Sequence, residues 1–297
     1  MLFIQIILPV FLIILAGFLL EKVARLDFRT LTYSSLYLFT PALVFSALMK
    51  RQVRLDLAAH LGLFMVLYTA ALLGVAVAVG RSFRMDSETR GAFSLATVMM
   101  NVGNFGLPLA YFAFGDKGLE VSILTFVLFN IPLGTLAIVI AQGAKAPLGK
   151  ALVNTLKIPI FHGVLLAAVL KAAGVGLPGF LLRPIELIGQ AAIPVMLILL
   201  GMQLARTRLR VAPGFLSLAA VVRLGVAPLL AWILTVILGI HGIDRNVVIL
   251  QTSTPSAVLP LLYSLRFDTR PDLVAGAIFI TTLLSSVSLT LVLYFLQ

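Results

Sequence analysis

The 297-residue chain is 61% hydrophobic and only 11% charged, with a mean hydropathy of +1.13, which excludes a soluble globular domain and marks a polytopic membrane protein. Its net charge of +11 does not imply nucleic acid as a partner, because the lysines and arginines lie dispersed in short segments between apolar runs. The chain has no cysteine, which excludes disulfides, thiolate metal sites and cysteine nucleophiles, and its three scattered histidines suggest no metal site; no cofactor is implied.

Apolar runs of about 20 residues, each long enough to cross a hydrocarbon core of about 30 Å, predict ten helices near 2–20, 31–49, 58–80, 88–114, 118–141, 150–171, 178–204, 213–240, 245–265 and 273–296. The expected fold class is all-α integral membrane, with the lipid bilayer as solvent. The first run lacks a basic leader and a small-residue cleavage site, so it reads as a retained span. Ten crossings place both termini on one side. With the termini outside, 13 basic residues fall in inner loops, Lys145, Arg208 and Arg210 among them, against 6 in outer loops, which include Lys50, Arg51 and Arg54. Positive-inside counting therefore predicts a cell-membrane protein with both ends outside.

The fourth predicted helix contains "MMNVGNFGLPLAYFAFG" at 99–115, with Asn101, Gly103, Asn104, Gly106 and Pro108. The ninth contains "QTSTPSAVLPLLYSL" at 251–265, with Gln251, Thr252, Ser253, Thr254, Pro255, Ser256 and Pro260. Proline removes a backbone donor and crowds the preceding turn, so both helices are expected to unwind. Pro9 matches Pro159, Pro41 matches Pro194 and Pro108 matches Pro260 at offsets of 150, 153 and 152. These offsets suggest two five-helix repeats, 1–141 and 150–297, joined by a linker at 142–149. Five crossings per repeat invert the second copy, an arrangement characteristic of secondary transporters.

Unwound backbone in lipid survives only where protein or a watery cavity satisfies it. The N-termini of the half-helices that follow each break supply partial positive charge and donors, which suit an anion, and Asn101, Asn104, Gln251, Thr252, Ser253, Thr254 and Ser256 are the substrate-binding residues expected at the two breaks. Asn130 in "VLFNIPLG" either donates to substrate or satisfies backbone near Pro132. Arg223 in "AVVRLGVAPLL" is a charge inside a span, a candidate for function or for structural pairing. Arg183 and Glu186, three residues apart, are expected to pair with each other. Neither broken helix carries an Asp or Glu. Membrane potential could drive an anion outward, gaining about 2.3 kcal/mol per 100 mV per charge, roughly a 40-fold gradient at about 1.4 kcal/mol per decade. A sodium- or proton-coupled carboxylate symporter is the alternative, with Gln251, Thr252, Ser253 and Thr254 around a cation. A non-transporting receptor or scaffold is the rival of another class. An enzyme is not expected, since no acid pair or nucleophile faces a compartment.

The segments "NVGNFGLPLAYFAFG", "VRLGVAP" and "LQTSTPSAVLPLLYSLRFDTRPDLVAGAIF" resemble the auxin efflux carrier family, which includes the plant PIN-formed carriers. Their order and spacing extend the likeness over nearly all ten predicted helices, and the short linker makes the chain similar to the compact bacterial members. The resemblance implies a fold like that of bile-acid sodium symporters, with helices four and nine crossing where both unwind. It implies an elevator motion of helices 3–5 and 8–10 against a scaffold and dimer surface of helices 1, 2, 6 and 7, hence a homodimer. It further implies that Asn101 meets a substrate carboxylate, that Pro255 is the crossing proline with Pro108 and Pro260 downstream, and that Asn130 lines the site. Plant members carry proline where this chain has Met100. The substrate implied is a small organic anion.

Overall fold

The computed structural model describes residues 1–50, 55–142, 148–207 and 212–296. Arg51, Arg54, Lys145, Arg208, Arg210 and most of the expected linker at 142–149 lie outside the described residues. In chain order the helices are α1 (Phe3–Ala24), α2 (Phe28–Lys50), α3 (Leu55–Ser82), α4 (Ser87–Val98), α5 (Val102–Gln142), α6 (Leu148–Leu156), α7 (Pro159–Ala172), α8 (Gly179–Gln190), α9 (Ala192–Arg206), α10 (Pro213–Ile237), α11 (Gly242–Thr252), α12 (Leu259–Phe267) and α13 (Pro271–Leu296). Among the described residues the only extended pairing is an isolated antiparallel bridge between Met100 and Ser256.

Seven helical stretches are long and apolar enough to cross a membrane, and the bent pair α6–α7 makes an eighth. The helices that flank the two breaks are shorter. α4 has 12 residues, α11 has 11 and α12 has 9, so none spans about 30 Å alone at about 1.5 Å per residue. α5 has 41 residues, about twice the length one crossing needs. It is interrupted at Gly115, whose φ of 62° and ψ of −152° suit only glycine. A Cβ on Gly118 would lie 2.7 Å from the Ala110 carbonyl oxygen, although eight residues of continuous helix would separate them by about 12 Å. The chain therefore turns back at Gly115, between the predicted helices 88–114 and 118–141.

Prolines shape the helices in two ways. Wide five-residue turns at Phe3–Ile7, Ser35–Phe39, Val102–Gly106 and Val222–Val226 each end two residues before a proline, namely Pro9, Pro41, Pro108 and Pro228. The residue just before each proline donates its N–H five residues back, as Leu8 does to Phe3 and Ala227 to Val222. Widening the turn moves the carbonyl four residues before each proline away from the ring that would strike it. Pro159 acts differently. It holds Ile158 extended at ψ 133°, and α6 and α7 meet at a bend of 66°, so the single straight helix predicted at 150–171 is replaced by two.

The largest apolar core draws its residues from α3, α4, α5, α10, α11 and α13 and the segments beside them, with α12 packed against it. Two smaller clusters join it to the remaining helices. In one, Ile7, Val10 and Ile14 of α1 and Leu197 and Leu200 of α9 meet Phe105, Leu250 and Leu289. In the other, Leu43 and Val44 of α2, Ile160 of α7 and Met196 of α9 meet Leu107 and Ile123. α1 and α9 touch backbone to backbone, since a Cβ on Gly201 would collide with the Ile14 carbonyl and sit 2.7 Å from the Phe18 nitrogen. The helices of the largest core thus pack on the remaining helices through two smaller clusters, and α1 and α9 are held by close backbone contact.

Candidate functional site at the crossing of two broken helices

α4 and α11 both stop in the middle of the molecule. α4 starts on Asp86, whose carboxylate accepts the Thr89 N–H at 2.8 Å, and ends as Met99 turns extended at φ −87° and ψ 105°. α11 ends at Thr252, and α12 does not begin until Leu259. The two unwound segments then bond to each other. The Asn101 N–H donates to the Pro255 carbonyl at 2.9 Å, and the Ala257 N–H donates to the Met99 carbonyl at 2.7 Å. Met100 and Ser256 face each other between these bonds, and neither supplies one, so the bridge does not need an N–H at position 100. This exchange removes the several kcal/mol that each unpaired group would cost in lipid.

The hydroxyls of the second break are all bonded to backbone carbonyls. Thr252 Oγ1 donates to the Val248 carbonyl at 2.7 Å, Ser253 Oγ to Ile249 at 2.6 Å and Thr254 Oγ1 to Gln251 at 2.7 Å. Ser256 Oγ donates across the crossing to the Ala96 carbonyl at 2.6 Å, and its N–H donates to Thr281 Oγ1 at 3.2 Å. All four residues are buried, as is Pro260.

The first break is less complete. Asn101 is only 5% exposed, yet its Nδ2 has no partner. The first turn of α5 lies ahead of its first intrahelical bond, from the Gly106 N–H to the Asn101 carbonyl at 2.9 Å, so the amides of residues 102–105 have no acceptor within the helix. Pro108 likewise offers no N–H to the Asn104 carbonyl, and Asn104 and Gly103 are partly exposed. Gly106 is needed because a Cβ there would collide with the Gln251 side chain and lie 3.3 Å from the Asn101 carbonyl oxygen. Gln251 donates through Nε2 to Ser122 Oγ of α5 and leaves Oε1 unpartnered. Asn130 lies further along α5 and donates to the Phe126 carbonyl at 2.7 Å, within its own helix; the Phe126 ring in turn abuts Gly103.

Arg223 is fully buried and closes the opposite side of the crossing. Its guanidinium donates to the Thr97 carbonyl at 2.8 Å, to Tyr68 Oη at 3.0 Å and to the Thr252 carbonyl. Tyr68 also donates to the Thr252 carbonyl at 3.1 Å. The charge therefore sits on the last turn of both α4 and α11. A helix C-terminus carries about −0.5 elementary charge, so two of them nearly balance one guanidinium. Sequence reasoning found Arg223 but missed Tyr68, Thr97, Ser122 and Thr281. Tyr68 and Ser122, polar groups well inside apolar runs, were the available signals.

A cavity of about 560 Å³ opens elsewhere, between α5 near its turn and α1, α2, α8 and α9, lined by Ile13, Phe112, Ile193 and Pro194 with Lys50, Asp116 and Glu186 among its charges. Glu186 pairs here with Lys50 of α2, which corrects the expected pairing with Arg183: the neighbouring helix brings a closer cation than the next turn of α8 does.

The family model described as membrane transport protein matches residues 2–150 and 144–293. The chain belongs to this family. It is the auxin efflux carrier family that the motifs resemble. An uncharacterized transporter of Methanothermobacter thermautotrophicus is 28% identical over 295 residues, 96% of this chain and 95% of that protein. An uncharacterized transporter of Methanocaldococcus jannaschii is 27% identical over 260 residues, 84% and 83% of the two chains. A probable auxin efflux carrier component 1b of Oryza sativa subsp. japonica is 25% identical over 136 residues, 45% of this chain and 24% of that protein. The membrane transport protein family and these relatives are transporters, so the chain is a multi-pass membrane transporter and not an enzyme.

Proposed function

We propose that the chain is a secondary transporter of a small organic anion, with the carboxylate held at the first break by Asn101 Nδ2, the Asn104 side chain and the leading amides of α5. The observation that carries this reading is a buried donor without a partner, Asn101 Nδ2, beside two half-helix N-termini, while Arg223 covers the two C-termini. The N-termini of α5 and α12 contribute about +0.5 elementary charge each, a match for one carboxylate. Gln251, bonded to Ser122, packs against Gly106 of the first break, and Thr252, Ser253, Thr254 and Ser256 hold the second break in shape.

Counting α4 with the first part of α5 as one crossing, the rest of α5 as another, and α6 with α7, α8 with α9 and α11 with α12 as one each, the chain makes ten crossings in two inverted repeats. Helices α3–α5 and α10–α13, which share the largest apolar core, form the moving body. Helices α1, α2 and α6–α9 form the scaffold and the surface of a homodimer. The carrier works as an elevator that exports its anion down the membrane potential, in the cell membrane with both termini outside. The guanidinium on the Thr252 carbonyl weighs against sodium held by the same segment. The test is counterflow in proteoliposomes with labelled mono- and dicarboxylates. Exchange by the wild type, lost in Asn101→Ala, is the expected result; a protein that exchanges no carboxylate would overturn the reading, and one that binds without exchange would be a receptor.

A further inference from the structure

Arg223 is the only formally charged side chain bonded to the crossing among the described residues, and it has no carboxylate partner there. Three oxygens converge on it: the Thr97 carbonyl, the Thr252 carbonyl and Tyr68 Oη. Carbonyls at half-helix C-termini with a neutral hydroxyl are the ligand set that unwound membrane helices offer to sodium. Here a side chain fills it, with full burial and a charge near that of the two helix ends combined. Tyr68 is itself fixed, stacked on Phe64 at 5.6 Å between ring centres, so the oxygens are held in place before the cation arrives.

We propose that the Arg223 guanidinium is a tethered cation occupying a three-oxygen cation site. The crossing then needs no dissociable cation for its shape, and its remaining free pole accepts an anion and repels cationic cargo. Arg223 acts as a positioning residue: it pins the ends of α4 and α11 so that Asn101 and the start of α5 meet the substrate in a fixed geometry. The statement about cargo rests on the anion-carrier reading; the statement about the cation site does not.

The test measures melting temperature of the purified full-length chain in sodium, potassium and choline chloride at one ionic strength, because an ion that binds only the folded state raises apparent stability. The wild type is expected to melt at the same temperature in all three. Arg223→Met, which keeps bulk and loses charge, is expected to melt several degrees lower in choline and to recover at least half of that loss in sodium or in millimolar methylguanidinium. Arg223→Lys is expected to be indifferent to the salt, like the wild type. A wild type stabilised by sodium over choline would overturn the proposal, as would a folded Arg223→Met that ignores both sodium and methylguanidinium. If Arg223→Met does not fold while Arg223→Lys does, the requirement for charge is met and the wild-type salt comparison decides. Carboxylate counterflow is a separate arm. A protein indifferent to sodium that exchanges no carboxylate keeps its tethered cation and loses the anion-carrier reading.

Discussion

The two breaks that meet at the crossing are built on opposite principles. Residues 252–256 carry four hydroxyl side chains, and each one is bonded to a backbone carbonyl. Residues 101–106 carry two asparagines and two glycines, and there a buried amide donor is left without a partner. A hydroxyl that returns to its own backbone replaces bonds lost to helix unwinding, which stabilises a shape. A donor left unmatched destabilises the empty protein and can regain that energy only from something that arrives. The same deformation therefore serves as structure in one helix and as recognition in the other.

The largest expected effect is at Gly106, where the two breaks touch. Gly106→Ala drives a methyl into Gln251, and overpacking of this kind costs about 1–3 kcal/mol. Carboxylate uptake should be lost and the melting temperature lowered, and the double variant with Gln251→Ala should regain the melting temperature. Uptake that persists in Gly106→Ala would mean that the contact does not shape the site.

Asn101→Ala separates the two principles. It removes a donor that makes no bond in the empty protein, so stability should hold or rise, while a hydrogen bond to a charged carboxylate worth about 1.5–3 kcal/mol is lost, about 10- to 100-fold in affinity at about 1.4 kcal/mol per decade. Ser256→Ala should do the reverse. It leaves the Ala96 carbonyl short of a partner, lowering stability by about 1–3 kcal/mol, while carboxylate affinity per folded molecule changes little. Thermal melts paired with affinity from ligand-induced shifts check both; equal losses in both readouts for both variants would erase the distinction.

The smallest effect is expected from Met100→Pro. Position 100 gives no N–H to the bridge, and Met99 is already extended at ψ 105°, the conformation proline imposes on its predecessor. The variant should fold and transport, losing only the packing of the buried methionine side chain. This is also why a chain without the plant proline still breaks its helix here: the cross-bonds to Pro255 and Ala257 hold it open.

Much of this was legible in the sequence because it depends on residues that act locally. Proline and glycine announced both breaks, and matching positions in two halves announced that they belong together. Hydropathy also located the reversal near Gly115. What stayed hidden depends on neighbours distant in the chain. Nothing local to Tyr68 or Thr97 says that Arg223 will bind them, 155 and 126 residues away. Nor does the hydroxyl-rich run at 252–256 say that Thr252, Ser253 and Thr254 turn back on their own helix while Ser256 bonds Ala96 across the crossing, since the same residues could face a ligand. Arg183 and Glu186 show the converse error, in which helical spacing suggested a partner and the packing of α8 on α2 supplied another.

The central claim is that the first break, and not the second, binds a carboxylate. Its most direct test is counterflow of a labelled carboxylate in proteoliposomes holding equal amounts of folded wild type, Asn101→Ala and Ser256→Ala. The account predicts exchange by the wild type and Ser256→Ala and at least about tenfold less by Asn101→Ala. Exchange at the wild-type rate by Asn101→Ala would contradict it.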